Sequence, residues 1–238
     1  MDIEGCIIRR CERNGITWSA PYNRKIWKPS THIKICGNLI EEVPGDAIVP
    51  IACDGAVVKY NLVRDATPLL PMKEAAAGIW PWSCDNTIIE FNEVCGQKAP
   101  WDGQGFDSDF NCINTIIRYN YSHDNDGGFV LVCNAGEVKD KADNIGNINS
   151  RISYNISIND GIRPFPTHAG IFSPIINIAG PCDKAEFYRN ILHMNIKSDR
   201  SLDSTMINSS SWEGYADSTC FTENVFYAGQ PSLFHLTK

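Results

Sequence analysis

Short apolar phrases recur along this chain, and each closes on an asparagine: Asn38, Asn61, Asn92, Asn120, Asn155, Asn190 and Asn224. Their spacings of 23, 31, 28, 35, 35 and 34 residues have the length of a solenoid repeat. An earlier phrase, Ile7-Ile8-Arg9-Arg10-Cys11, fits the frame with Cys11 in the asparagine slot, which makes about eight units. Three residues before the slot stand Ile8, Ile35, Val58, Ile89, Ile117, Ile152, Phe187 and Phe221, all apolar. One residue later stand Arg9, Cys36, Lys59, Glu90, Arg118, Ser153, Tyr188 and Thr222, mostly polar. Alternation with a period of two describes a strand with one buried face and one wet face.

A second strand follows in each unit. Aligned on its leading glycine or alanine, it places Ile16, Ile48, Ile79, Phe106, Phe129 and Ile171 inward, with Ile207 continuing the column. Turns between strands are rich in Asn, Gly, Asp and Ser, and no stretch has helical periodicity. The pattern predicts an all-β chain coiled into a parallel β-helix, residues 1–238 forming one domain. Stacked about 4.8 Å apart, the asparagines are expected to bond coil to coil as an amide ladder. The chain enters a coil phrase almost at Met1 and shows no polar cap. N-terminal coils and a cap of a longer parent are therefore expected to be missing, and an open coil edge is expected to make the isolated chain self-associate.

Composition narrows the partners. A net charge of −7 with no basic run argues against nucleic acid. No apolar stretch approaches membrane-spanning length, so no membrane partner is expected. Arg9, Arg10, Glu12 and Arg13 occupy the place where a secretory signal would be apolar. Neither compartment nor oligomeric state follows from the chain. The ten cysteines form no CxxC pair with a matching second pair, so neither zinc nor any other metal is expected. Cys53, Cys84, Cys112 and Cys133 follow the repeat and read as a stack of small buried thiols, with a Cys53–Cys84 disulfide as the alternative.

Chemistry concentrates on the outward column beside the second inward one: Thr17, Val49, Trp80, Asp107, Val130, Phe172 and Asn208. Two residues on, the same face carries Ser19, Ile51, Trp82, Asp109, Val132, Pro174 and Ser210. Trp80 and Trp82 thus lie one coil from Asp107 and Asp109. Indole faces stack on pyranose rings, and two carboxyl groups on one face are what glycosidic hydrolysis requires: an acid for the leaving oxygen, and a base or nucleophile at the anomeric carbon. The alternatives for the Asp-x-Asp pair are a calcium site or a solvated turn. His123, in the polar turn 121–128, is the candidate for tuning a carboxylate, with Asp124 and Asp126 as further acids, although Asn, Asp and Gly in such a turn equally mark an ordinary corner. Long insertions at 65–77, 95–104, 138–150 and 160–169 are expected to wall a groove. They bring Trp101, Asp102, Arg163 and His168, and also Lys73, Glu74, Lys139 and Lys141, toward a carbohydrate substrate, with Trp212 as a further aromatic surface.

The phrases Asn114-Thr115-Ile116-Ile117-Arg118-Tyr119-Asn120 and Arg151-Ile152-Ser153-Tyr154-Asn155 resemble the right-handed parallel β-helix repeats of the pectate-lyase-like superfamily. The segment 105–110 with 121–125 is similar to bacterial β-helix glycosidases, and it lacks the polygalacturonase set of an NTD, a paired DD, a GHG and an RIK. The resemblance covers nearly the whole chain and implies fold more firmly than reaction. A glycoside hydrolase without a cofactor is the reading implied first. A polysaccharide lyase is the rival, with calcium at Asp107 and Asp109 and a base drawn from Lys139, Lys141 or Arg163. A carbohydrate-binding module or an inactive truncated fragment needs only the aromatic surface.

Overall fold

A computed structural model of the chain describes residues 1–66, 69–71, 73–136, 143–167, 170–195, 202–229 and 231–236. It is a parallel β-solenoid of about seven turns, against the eight coils counted in the sequence. Two eight-stranded sheets are the first two walls, one running from Asp2–Glu4 to Cys220–Thr222 and the other from Ile7–Arg9 to Val225–Ala228. The third wall joins Ile16–Trp18 and Ile48–Pro50 to the five-stranded sheet that begins at Gln104–Ser108, through bridges of Ile79 to Ile48 and Phe106. Pro81 interrupts a continuous strand there, because it has no N–H for the ladder. A 3₁₀ turn, Arg24–Ile26, is the helical element among the described residues, none of which forms a helix long and apolar enough to cross a membrane.

The asparagine ladder is continuous. Nδ2 of Asn38, Asn61, Asn92, Asn120, Asn155 and Asn190 donates to Oδ1 of the next asparagine at 2.9–3.1 Å. The same Oδ1 also accepts the backbone N–H of the preceding rung's asparagine, as Asn120 does from Asn92 at 2.9 Å. Each amide further donates to a carbonyl one coil back, Asn120 to Ile89 at 3.0 Å. The residue before each asparagine is left-handed, from Gly37 and Tyr60 to Arg189 and Glu223. Aromatic residues tolerate that backbone here because Tyr60, Phe91, Tyr119 and Tyr154 stack at centroid spacings of 5.2 Å. Inside, Ile35, Val58, Ile89, Ile117, Ile152 and Phe187 form one fully buried column.

Three details of register differ from the sequence expectation. Asp2–Glu4 pairs with Lys34–Cys36, so Ile3 rather than Ile8 joins the first column, and Cys6 occupies the asparagine slot, its N–H bonded to Asn38 Oδ1 at 2.9 Å. Cys11 lies one strand too late. In the third wall Phe106 pairs with Val130 and Val130 with Ile176, which makes Val130 and Ile176 the inward residues and Leu131 and Asn177 the outward ones. Gly127 and Gly128 offered two glycines to align on, and Gly170 belongs to the tight Thr167–Gly170 turn instead of leading a strand. Phe129 is nevertheless buried, edge-on to Phe106 at 6.0 Å. All ten cysteines are free thiols. Cys53, Cys84 and Cys112 line the interior, and Cys182 continues that row two coils on, with Asn147 between; Cys133 points outward to Asp109.

Replacing Asn120 by Ala strands the Asn92 donors and the Ile89 carbonyl in a dry corner. The expected cost is about 3 kcal/mol, at roughly 1–3 kcal/mol per buried polar group left unpaired. Asn224→Ala, at the half-buried end of the ladder, should cost less. Urea unfolding midpoints of the two variants check the order.

Candidate active site

The outward column of the third wall runs Thr17, Val49, Trp80, Asp107, Leu131, Asn177 and Asn208. A cavity of about 350 Å³ opens over it, lined by Asp46, Asp102, Asp107 and Asp109 together with Trp80 and Trp82. A smaller one of about 50 Å³ is lined by Trp101, Gln104, Phe172, Asn177 and Trp212, and Asp102 borders both. The indoles of Trp80 and Trp82 lie 6.3 Å apart at 28°. An aromatic row continues from Tyr22 through Trp82 and Phe110 to Trp212, with centroid steps of 5.5, 6.3 and 6.4 Å. Tyr22 belongs to the segment before the 3₁₀ turn, tied down by Ser83 Oγ donating to its carbonyl at 2.6 Å and by Trp27 Nε1 donating to the Ser83 carbonyl at 2.9 Å.

The four carboxyl groups are not equivalent. Asp46 is buried but partnered: Oδ1 accepts Trp80 Nε1 at 2.9 Å and the Ala77 N–H at 3.0 Å, while Oδ2 faces Arg13 Nη1 at 3.1 Å. It orients Trp80. Asp109 Oδ1 accepts the Phe110 N–H at 2.6 Å and the Cys133 thiol at 3.1 Å. Burial lifts Asp109 to about 6, these two bonds pulling against it and Asp46 adding to it. Burial, then the charges of Asp109 and Asp46, lift Asp102 to about 7, with Arg163 opposing. Asp107 is 3 % exposed, and its Oδ1 has no hydrogen-bond partner. Burial, followed by Asp102, Asp109 and Asp46, pushes it well above the carboxylate range.

Asp102 arrives from outside the main sheets. Trp101–Asp102 pairs with Ala75–Ala76 as a small annex sheet, and Asp102 is itself left-handed at φ 59°. Arg163, expected to contact substrate, is buried and donates to the carbonyls of Ala99 at 2.9 Å and Asp102 at 2.6 Å, so it braces this loop. Gly127 packs so close beneath that a Cβ there would lie 1.7 Å from the Asp102 carbonyl oxygen.

Sequence reasoning united Trp80, Trp82, Asp107 and Asp109, and the structure gathers them with Asp102. Trp101 and Phe172 line the second cavity, Phe172 from the loop rather than from a strand. His123 and Asp124 are not brought to it. Tyr121–His123 belongs to the second wall, and the imidazole bonds Asp124 at 2.8 Å and Glu93 at 3.3 Å. Asp126 faces Lys98 at 3.6 Å in a separate depression. His168, Lys139 and Lys141 lie outside the described residues. Asp46 and Arg13 were missed; the available signal was a single acid two residues before an inward isoleucine, one coil from Trp80.

The fold and the cavity together define a parallel β-solenoid with a carboxyl-rich, tryptophan-walled groove. No family model matches the chain. It is 29 % identical over 155 residues to the lacto-N-biosidase of Bifidobacterium longum subsp. longum, which covers 58 % of this chain and 9 % of that protein. Two structures of the GH136 lacto-N-biosidase from Eubacterium ramulus, a selenomethionine derivative and the native protein, share the fold with TM-scores of 0.64 and 0.62 at 22 % identity. They cover 95 % and 94 % of this chain, which spans about 35 % of theirs.

Two outcomes follow from this geometry. Asp102, Asp107, Asp109 and the buried Asp160 (about 7, raised by burial) all exceed the unfolded value of about 3.9. The folded state therefore binds more protons, and the stability these groups contribute is present below about pH 4 and is lost as pH rises through 6 and 7. Unfolding midpoints should be higher at pH 5 than at pH 8, and Asp160→Asn should reduce the difference; equal midpoints would contradict the burial argument. Gly127→Ala should displace Asp102, with a loss of thermal stability measurable by calorimetry.

Proposed function

We propose that the groove is the active site of a glycoside hydrolase acting on an oligosaccharide. The observation that carries this reading is the pairing of two half-buried acids in one cavity, Asp102 at about 7 and Asp109 at about 6, beside two indole faces. Glycosidic cleavage needs one carboxyl group protonated and one ionised at the same pH, and the two donors on Asp109 Oδ1 favour the ionised form there while burial and neighbouring carboxylates favour the protonated form of Asp102. Asp102 is the general acid, giving its proton to the glycosidic oxygen as the C–O bond breaks. Asp109, ionised and aligned by the Phe110 N–H and the Cys133 thiol, serves the anomeric carbon, as nucleophile or as base toward water. Asp107, held neutral, offers a hydroxyl donor to the sugar from the cavity floor, and Trp80 and Trp82 take the apolar ring face. The sequence expectation made Asp107 partner of Asp109; its burial favours Asp102 in that role.

The likeness to lacto-N-biosidases supports a substrate with a terminal lacto-N-biose unit, the second cavity with Trp101, Phe172 and Trp212 receiving part of it. A lyase would need a free cation in the groove. Arg13, which lines it, is taken up by Asp46, Glu74 and the Ala75 carbonyl.

With a chromogenic lacto-N-bioside as substrate, Asp102→Asn and Asp109→Asn should each lower kcat by about 10²–10⁴-fold with unchanged folding. The wild-type kcat/KM profile should be bell-shaped, rising near pH 6 as Asp109 ionises and falling near pH 7 as Asp102 loses its proton; Asp102→Asn should erase the alkaline limb. Trp82→Ala should raise KM more than it lowers kcat. Products absorbing in the ultraviolet, which mark an unsaturated sugar, would replace the hydrolase reading by the lyase, and full turnover in both Asp→Asn variants would refute the assignment of the acids.

A further inference from the structure

On the second wall, away from the groove, Glu93, Cys95 and His123 converge. Glu93 and Cys95 are two apart on strand Glu93–Cys95, so both project outward, and Cys95 is the register partner of His123 on the next coil. One ligand atom from each lies within 4.8 Å of the others. His123 Nε2 is 3.3 Å from Glu93 Oε1, and Nδ1 is 2.8 Å from Asp124 Oδ2. That second contact matters. A carboxylate on Nδ1 keeps that nitrogen protonated and aims Nε2 at Glu93 and Cys95, so that Nε2 can ligate a metal once its own proton, now held against Glu93, is displaced. The Tyr121 ring, stacked on the imidazole at 4.4 Å, holds its plane.

We propose that Glu93, Cys95 and His123 form a binding site for one zinc-class divalent cation, with Asp124 positioning the imidazole and solvent supplying the fourth ligand. Thiolate, imidazole and carboxylate together select a borderline-soft ion over calcium or magnesium. Bond lengths of about 2.3 Å to sulfur and about 2.0 Å to nitrogen bring tetrahedral ligands somewhat closer than they now stand. Glu93, whose side chain is 47 % exposed, is free to rotate in and close the gap. As the zinc binds, the Cys95 thiol and the His123 Nε2–H each release a proton to solvent, and no electron transfer is involved. The ion joins two coils at the points where both leave the wall: Cys95 begins the segment that leads to Asp102, and Gln97 N–H already bonds Asn125 Oδ1 at 2.9 Å. Sequence spacing set zinc aside because the ligands come from different coils, 28 residues apart for the register pair Cys95 and His123.

The test is titration of zinc chloride, and separately cobalt chloride, into the reduced full chain. One equivalent of tight binding is expected, with a thiolate-to-cobalt charge-transfer band, release of protons, and protection of Cys95 from alkylation as read by peptide mass spectrometry. His123→Gln and Cys95→Ser should abolish the band, and Asp124→Asn should weaken affinity by about 10–100-fold while leaving the stoichiometry. Should Cys95→Ser fold poorly, alkylation of the wild-type thiol with and without zinc decides the matter alone. Unprotected Cys95, or tight binding that survives His123→Gln through exposed thiols such as Cys6 and Cys220, would overturn the site.

Discussion

The side-chain amide of asparagine is the interaction on which the rest of this molecule depends. Each rung of a solenoid must turn a corner, and the residue before the corner is driven into the left-handed region, at a cost of roughly 1–2 kcal/mol for a non-glycine residue. Asparagine is suited to the next place because its carbonyl accepts twice from the preceding rung while its amide donates both backward and forward. Aspartate could not donate, and serine could not reach both neighbours. With the corner over-determined in this way, residues as unfavourable there as Tyr60, Phe91 and Tyr119 are held without glycine, and their rings recover energy by stacking on one another.

A rigid corner also fixes register on the walls it joins. Because Ile48, Ile79 and Phe106 sit directly above one another, the residues after them do so too, and Trp80 lies beside Asp107 without any dedicated contact between the two. A flat sheet face offers no enclosure of its own. Enclosure comes from chain outside the wall: Arg13 and Asn14, and the annex that pairs Ala75–Ala76 with Trp101–Asp102. Once water is excluded, carboxyl groups that would ionise independently on an open strand repel one another through a poorer dielectric, and their proton affinities separate.

The strands, the ladder and the Trp–Asp juxtaposition were legible in the sequence because each depends on a short period that side chains must obey. Register errors arose where the period is silent. Cys6 and Cys11 stand equally well in a frame whose first rung has no asparagine, and the pair Gly127–Gly128 leaves the next strand's phase undetermined by one residue, which is enough to exchange inside for outside. His123 was placed at the site by its closeness in sequence to other polar residues, but a solenoid sends neighbours in sequence to different walls. Asp46 shows the converse: 61 residues separate it from Asp107 along the chain, yet its charge is felt there.

Burial and hydrogen-bond partners, rather than residue type, make the carboxyl groups of the groove different from one another. Asp107 is central and the most enclosed of the groove acids, and burial raises its proton affinity. Asp109 keeps two donors on one oxygen, which lowers the cost of its charge, whereas Asp102 has no such donor set among the described residues and borders both cavities. The loop that carries Asp102 is braced by a buried arginine through backbone carbonyls, so that the guanidinium fixes the position of the acid without forming a direct salt bridge that would stabilise its anion more strongly. A direct bidentate pair would have lowered the proton affinity of Asp102. The same fold with Arg163 turned toward the carboxyl group would still be a solenoid with a groove, but Asp102 would hold its proton less tightly.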